Sequence, residues 1–329
     1  MKIIAEKIHA SRIIPNNHPR LRDGQYLYDG VNALPIIQAE SGPACSHAKP
    51  FVSAAHFLLH GSAHEQRAAE NFIAHHATQQ TAAHATWLDI CVDECSNDLA
   101  EREAVMRRFV NITLAASPLP LSIDAADTSV LVAGLSTCHE AGRPALLNSV
   151  TPSRLDALEH AVRYNTGVIL LPTPDGGVPA TPAARCEVLR GLLSHAQNAG
   201  IKLNACYLDP IVMPIGMDPR AVTTTLETTR LIREIFGNEI HITGGVSNVS
   251  YGLPARAIIN RAFVHYFLQS GANTAILDPL LVTQEHIKNP DVESPDFLAA
   301  KKLLEGADEY GMDYMEAFNE GRLSIKLNL

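Results

Sequence analysis

Eight short apolar runs alternate along the chain with stretches whose apolar residues recur at helical spacing. The runs span 2–6, 86–92, 119–124, 144–150, 167–173, 203–209, 239–243 and 274–278. They are rich in Ile, Leu and Val and nearly continuous in apolar character, as expected of parallel strands covered on both faces. The stretches between them predict helices over 65–81, 99–115, 128–141, 152–164, 182–199, 220–236 and 255–269. Strand and helix in strict alternation predict an α/β fold, a (β/α)8 TIM barrel. A doubly wound sheet competes, but no Gly-x-Gly-x-x-Gly follows the first run.

Two regions break the rhythm. Residues 10–64 are rich in Pro, Asn, Gly and His, with Pro15, His18, Pro19 and Arg20 at the start and Pro43, Cys45 and His47 further on. That is long for a βα connection, so it reads as a lid-like or wrap-around segment. The tail, 294–329, predicts a helix over 295–306, then an acidic stretch carrying Tyr310, Tyr314 and Phe318. The expectation is a single barrel domain over 1–329 with these two additions.

Polar residues gather where the barrel rule places chemistry, at the C-terminal ends of strands. Asp124 and Asp209 each close a run, Asn148 lies near the end of the fourth, Asn248 follows the seventh and Asp278 closes the eighth. Glu6 lies in the first run with His9 just past it, and Asp89 lies in the second with Asp93 and Glu94 beyond. Single residues have plainer readings: Asp278 before Pro279 suits a turn, Asp127 suits a helix N-cap, and Asn148 suits local backbone bonding. Their recurrence at successive strand ends points to a ligand site.

One loop stands out, Gly244-Gly245-Val246-Ser247-Asn248-Val249-Ser250, followed by Gly252-Leu253-Pro254-Ala255-Arg256. The glycine pair permits a sharp exit from a strand. An amide and a guanidinium then share one loop, which suits a flat, nitrogen-rich heterocycle. No nucleophilic Ser or Cys stands beside a base. No phosphate-cradling loop is evident apart from Asp175-Gly176-Gly177.

Composition narrows the partners. A net charge of −9 and a pI near 5.9 argue against nucleic acid and anionic membranes. No run has the length of a membrane span, and the N-terminus lacks the pattern of a signal peptide, so a cytoplasmic protein is expected. The six cysteines are scattered, and the single close pair, Cys91 and Cys95, lacks the second pair of a zinc site. Most of the fifteen histidines, among them His56, His60, His64, His75, His76 and His84, are read as solvated helix and loop residues. No metal is assigned.

The motifs Ile-Ala-Glu6-Lys-Ile, Ser-Ile-Asp124, Leu-Asn148-Ser, Tyr-Leu-Asp209-Pro, Gly-Val-Ser-Asn248-Val-Ser and Ile-Leu-Asp278-Pro resemble, in this order, the pterin-binding methyltransferases. That group holds the methyltetrahydrofolate:corrinoid protein methyltransferases and the folate-binding module of cobalamin-dependent methionine synthase. The resemblance runs from Met1 to about Asp278, broken by 10–64. Asn248 with Arg256 and Ile-Asn260-Arg261 is its most specific part.

The resemblance implies a dihydropteroate-synthase-like barrel. Asp124, Asn148 and Asp209 would hold the pterin ring. Asn248 would bond near N5, Arg256 would support Asn248 or the pterin, and Glu6 would complete the floor. Methyl would pass between N5 of tetrahydrofolate and the cobalt of a separate corrinoid protein, because no cobalamin motif is present here. A homodimer is expected on the same ground. His9 and Cys91 depart from the family, which carries Asn at the corresponding places. The alternatives are a dihydropteroate-synthase-like condensation enzyme and a non-catalytic folate-binding protein.

Overall fold

A computed structural model describes residues 1–37, 47–308 and 311–324. Pro43, Cys45 and Tyr310, singled out in the sequence, lie outside the described residues. The chain opens with β1 (Lys2–His9) and five very short strands, β2 (Ile14–Pro15), β3 (Leu21–Arg22), β4 (Gln25–Leu27), β5 (Ala33–Pro35) and β6 (His47–Ala48). Two helices follow, α1 (Pro50–His60) and α2 (Ala63–Ala82). Then come β7 (Trp87–Cys91), α3 (Leu99–Ala116), β8 (Leu121–Asp124), α4 (Thr128–Glu140), β9 (Ala145–Val150) and α5 (Ala157–Arg163). The alternation continues with β10 (Gly167–Leu170), α6 (Pro182–Asn198), β11 (Cys206–Leu208), α7 (Ala221–Phe236), β12 (His241–Ile242), α8 (Arg256–Gln269) and β13 (Thr274–Leu277). After β13 come α9 (Gln284–Lys288) and, in the tail, α10 (Pro295–Leu304) and α11 (Met312–Asn319).

Every predicted strand is present. The eight form one sheet in the order β12-β11-β10-β9-β8-β7-β1-β13, which is chain order around a (β/α)8 barrel. Past β12, Gly245 bridges Ile276 in parallel, and the Ile276 N–H donates to the Gly244 carbonyl at 2.9 Å. The chain divides into two compact units. One comprises Met1–Ile4, Ser149–Val162 and Gly167–Leu329; the other comprises Ala5–Asn148 and Arg163–Thr166.

In the second unit, the segment 10–64 is not an open loop. Its strands β3, β4 and β5 form a small antiparallel sheet. Tyr28 and Phe51 pack on Phe72 of α2 with ring centroids 5.3 and 4.8 Å apart. Helix α1 was not foreseen, although Pro50 at its first position is a helix-start signal. A capping box of Ser62 and Glu65 starts α2. His76 corrects the expectation of solvated histidines: it is buried against Phe51 and Phe72. Asp127 sits at the N-cap position of α4, but its carboxylate takes a bond from Arg102 Nη1 at 2.7 Å and makes no cap bond.

Helix α4 lies against β8 at Gly134, where an added Cβ would come 2.6 Å from Ile123 Cγ2. Ile123 and Met106 beside it are fully buried and cannot withdraw into solvent. Gly134→Ala should therefore lower stability by about 1–3 kcal/mol in denaturant unfolding, despite alanine's better helix propensity.

In the first unit, α8 buries Phe263 and Phe267, stacked at 5.5 Å. The tail forms α11, a second helix where the sequence reading had placed only an acidic stretch. Its Tyr314 is almost fully buried, and its hydroxyl donates to the Ala255 carbonyl at 3.2 Å, just ahead of α8.

Candidate functional site

The strand-end polar residues form two clusters, one in each unit. In the second unit, β7, β8 and β9 pair in register so that Cys91, Asp124 and Asn148 stand side by side. Paired residues of parallel strands project to the same face, so these side chains form one row. β1 runs three residues further than predicted and ends at His9. The next N–H, from Ala10, donates to the Cys91 carbonyl at 2.9 Å and sets His9 beside that row.

The carboxylates here differ in setting. Asp89 is 2% exposed and receives the Asn148 side-chain amide at 3.3 Å. Burial, with the Asp124 charge added, lifts its carboxyl to about 7. Asp124 is partly open and lies 3.6 Å from His9 Nε2. Burial opposes charge on the His9 ring, but the bond to Asp124 and the charges of Asp124 and Asp89 outweigh it, and the imidazole pKa is raised. Ser11 reaches His9 Nδ1 with its hydroxyl at 2.7 Å and its N–H at 3.3 Å. Glu6 is paired with Arg12 at 2.8 Å, and Arg12 also donates to the Glu6 carbonyl.

In the first unit, β11 leads into Asp209, whose N–H donates to the Leu170 carbonyl at 3.0 Å. Asp209 is 7% exposed. Burial lifts its carboxyl to about 7, against the pull of the Ile211 N–H and the Arg185 guanidinium. Ile211 has a φ of 64°, an uncommon conformation for a β-branched residue. Its N–H donates to Asp209 Oδ1 at 2.7 Å, and its carbonyl accepts from Arg185 Nη1 at 2.9 Å and Thr225 Oγ1 at 2.8 Å. A buried arginine thus holds the turn that aims the carboxylate. Sequence reasoning missed Arg185, because it lies on α6 far from any strand end.

The glycine pair separates the next two groups. A Cβ on Gly244 would stand 3.6 Å from Asp209 Oδ1, and one on Gly245 would stand 2.9 Å from Asn248 Nδ2. The second glycine is required for close approach of the amide. Asn248 ends a single 3-10 turn and is exposed, and among the described residues its side-chain amide has no hydrogen-bond partner. Arg256 braces the loop: Nη2 donates to the Ser247 carbonyl at 2.6 Å and Nε to Ser250 Oγ at 3.1 Å. Ser250 in turn donates to the buried Asn260 Oδ1 at 2.7 Å. Asp278 accepts the Leu280 N–H at 3.0 Å within its own turn.

These groups offer acceptors and amides in rigid settings and no activated nucleophile. No helix among the described residues is long and apolar enough to cross a membrane.

Comparison with known proteins agrees with this chemistry. The family model described as pterin binding enzyme matches residues 62–278. A methylcorrinoid:tetrahydrofolate methyltransferase from Eubacterium limosum is 28% identical over 259 residues, covering 77% of this chain and 89% of that protein. Methionine synthase of Mycobacterium tuberculosis (strain ATCC 25618 / H37Rv) is 29% identical over 216 residues, covering 61% of this chain and only 18% of that protein. A dihydropteroate synthase from Xanthomonas albilineans, solved with 7,8-dihydropteroate, superposes with a TM-score of 0.53 at 16% identity over 67% of this chain and 83% of that one. The last likeness supports the barrel fold alone. With its family model spanning most of the barrel, the chain belongs to the family of pterin binding enzymes.

Proposed function

We propose that this protein transfers a methyl group between N5 of tetrahydrofolate and the cobalt of a corrinoid carried by a separate protein. The observation that carries this reading is the loop after β12. Asn248 presents an exposed amide that no described residue engages, next to the glycine pair that also faces Asp209. The curated relative that spans most of the chain and is named for this reaction supports it.

In this reading the roles follow the chemistry of each group. The pterin edge offers N–H donors and a carbonyl, which Asp124, Asp209 and Asn148 complement. Glu6, with its partner Arg12, forms the floor. Asn248 bonds at N5, and Arg256 fixes the loop that carries it. Removing a methyl group from N5 takes up one proton there, and adding one releases it. A neutral amide stabilises the N5–H as charge shifts, without titrating itself. The partner's cobalt supplies the centre that accepts or gives the methyl group. This chain binds, orients and manages the proton. A protein of this kind is expected to act beside a corrinoid partner in the cytoplasm, as a homodimer.

Turnover tests the reading directly. Mixed with tetrahydrofolate and a methylated corrinoid protein, the chain should accelerate the cobalt absorbance change and yield 5-methyltetrahydrofolate. Folate binding without turnover, across several corrinoid proteins, would favour the non-catalytic alternative. Gly245→Ala should cut the rate while leaving the fold intact, because its methyl would displace the Asn248 amide from 2.9 Å. A rate equal to wild type would place the reactive amide elsewhere.

A further inference from the structure

We infer that His9, Cys91 and Asp124 form a binding site for a soft divalent cation of the zinc class. One ligand atom from each residue lies within 4.8 Å of the other two, and His9 Nε2 stands 3.6 Å from Asp124 Oδ2. Tetrahedral zinc, with bonds of about 2.0 Å to N and O and about 2.3 Å to S, holds its ligand atoms roughly 3.3–3.6 Å apart. The cluster closes on such an ion with side-chain adjustments alone.

The arrangement is set by backbone, not by a flexible loop. The Ala10 N–H bond to the Cys91 carbonyl fixes the end of β1 against β7, and the pairing of Cys91 with Asp124 fixes β7 against β8. All three residues belong to one compact unit. The chain positions are far apart in sequence, so spacing along the chain cannot reveal the site.

The donor set chooses the ion. A thiolate, an imidazole and a carboxylate suit zinc and disfavour magnesium and calcium, which take oxygen ligands. Three protein ligands leave one position open. An outer partner is within reach: Ser11 Oγ lies 2.7 Å from His9 Nδ1, and when the ring switches tautomer to offer Nε2 to the metal, that oxygen can accept the Nδ1 proton in place of the bond Nδ1 now takes from the Ser11 N–H. Asp89, buried nearby, adds negative charge, which Arg12 opposes. Binding changes no oxidation state: the Cys91 thiol gives its proton to solvent as the sulfur–metal bond forms.

The consequence for folate rests on the proposed function. An ion held by Asp124 occupies a carboxylate that the pterin would use, so cation and folate compete.

Cobalt(II) is the probe. Added to the full-length protein after chelator treatment, it should give a sulfur-to-cobalt charge-transfer band and intense visible bands of a four-coordinate ion. Cys91→Ser should abolish the charge-transfer band, and Cys95→Ser should keep it. His9→Asn and Asp124→Asn should weaken cobalt binding, and Ser11→Ala should weaken it about 10-fold. Circular dichroism of each variant separates loss of the site from loss of the fold. No charge-transfer band in the wild type, or a band that survives Cys91→Ser, overturns the assignment. The readout needs no folate, so failure of the methyl-transfer reading leaves it standing and the reverse also holds.

Discussion

Asn248→Ala is expected to lower the rate of the proposed methyl transfer by about 10²–10³-fold and to leave folate bound. The size comes from the loss of one preorganised hydrogen bond at the atom whose charge changes. Asn248 is exposed at the tip of a braced loop, so its removal costs the fold little. The pterin ring keeps its contacts to the carboxylates, so the ground state is held while the transition state is not. The expected signature is a fall in kcat with little movement in the folate dissociation constant. Asn248→Asp places a titratable acceptor at the same point and should restore activity only where that carboxyl carries a proton. Equal losses in affinity and rate would mean that Asn248 serves binding and not the proton.

Under the proposed function, folate affinity of the wild type should rise with pH up to about 7 and level off above it. The cause is Asp209, whose carboxyl burial raises to about 7 from an ordinary 3.8. The folded chain holds the protonated form better, so the group's full stabilising contribution is present below about pH 4 and is lost as pH rises through 7. The loss amounts to at most roughly 4 kcal/mol. For binding, the charged form is the useful one, because the pterin edge presents N–H donors. A bound pterin therefore draws the proton off, and each pH unit below 7 weakens binding by up to about tenfold. Asp209→Asn should bind weakly with a shallower profile than wild type, the remaining slope belonging to Asp89, also raised to about 7, and to His9. A profile as steep as that of the wild type in Asp209→Asn would place the main titrating group elsewhere.

The barrel was legible because its strands are unbroken apolar runs and its helices carry a clear period. What escaped the sequence was set by contacts distant in the chain. The apolar run of β1 breaks at Lys7, yet the strand continues to His9. The bond from the next residue, Ala10, to Cys91 lies along that extension. Helix α1 was hidden in a segment read by its Pro and His content, and α11 in a stretch read by its acidity. Asp127 stands where an N-cap belongs, but Arg102 takes its carboxylate. Asp124, Asn148, Asp209 and Asn248 were found from their places at strand ends. Arg185, which holds the turn after Asp209, and Ser11, which meets His9, were not, since no local motif announces either.

In the proposed function, the strand-end groups bind the pterin of a folate. Calorimetric titration of the wild-type chain with 5-methyltetrahydrofolate near pH 8, in the presence of a chelator, tests it most directly. Beside it stands Asp209→Ala, whose fold is verified by circular dichroism. Saturable binding that Asp209→Ala weakens by about tenfold or more is the predicted result. No binding to the wild type, or binding that Asp209→Ala leaves unchanged, would contradict the account.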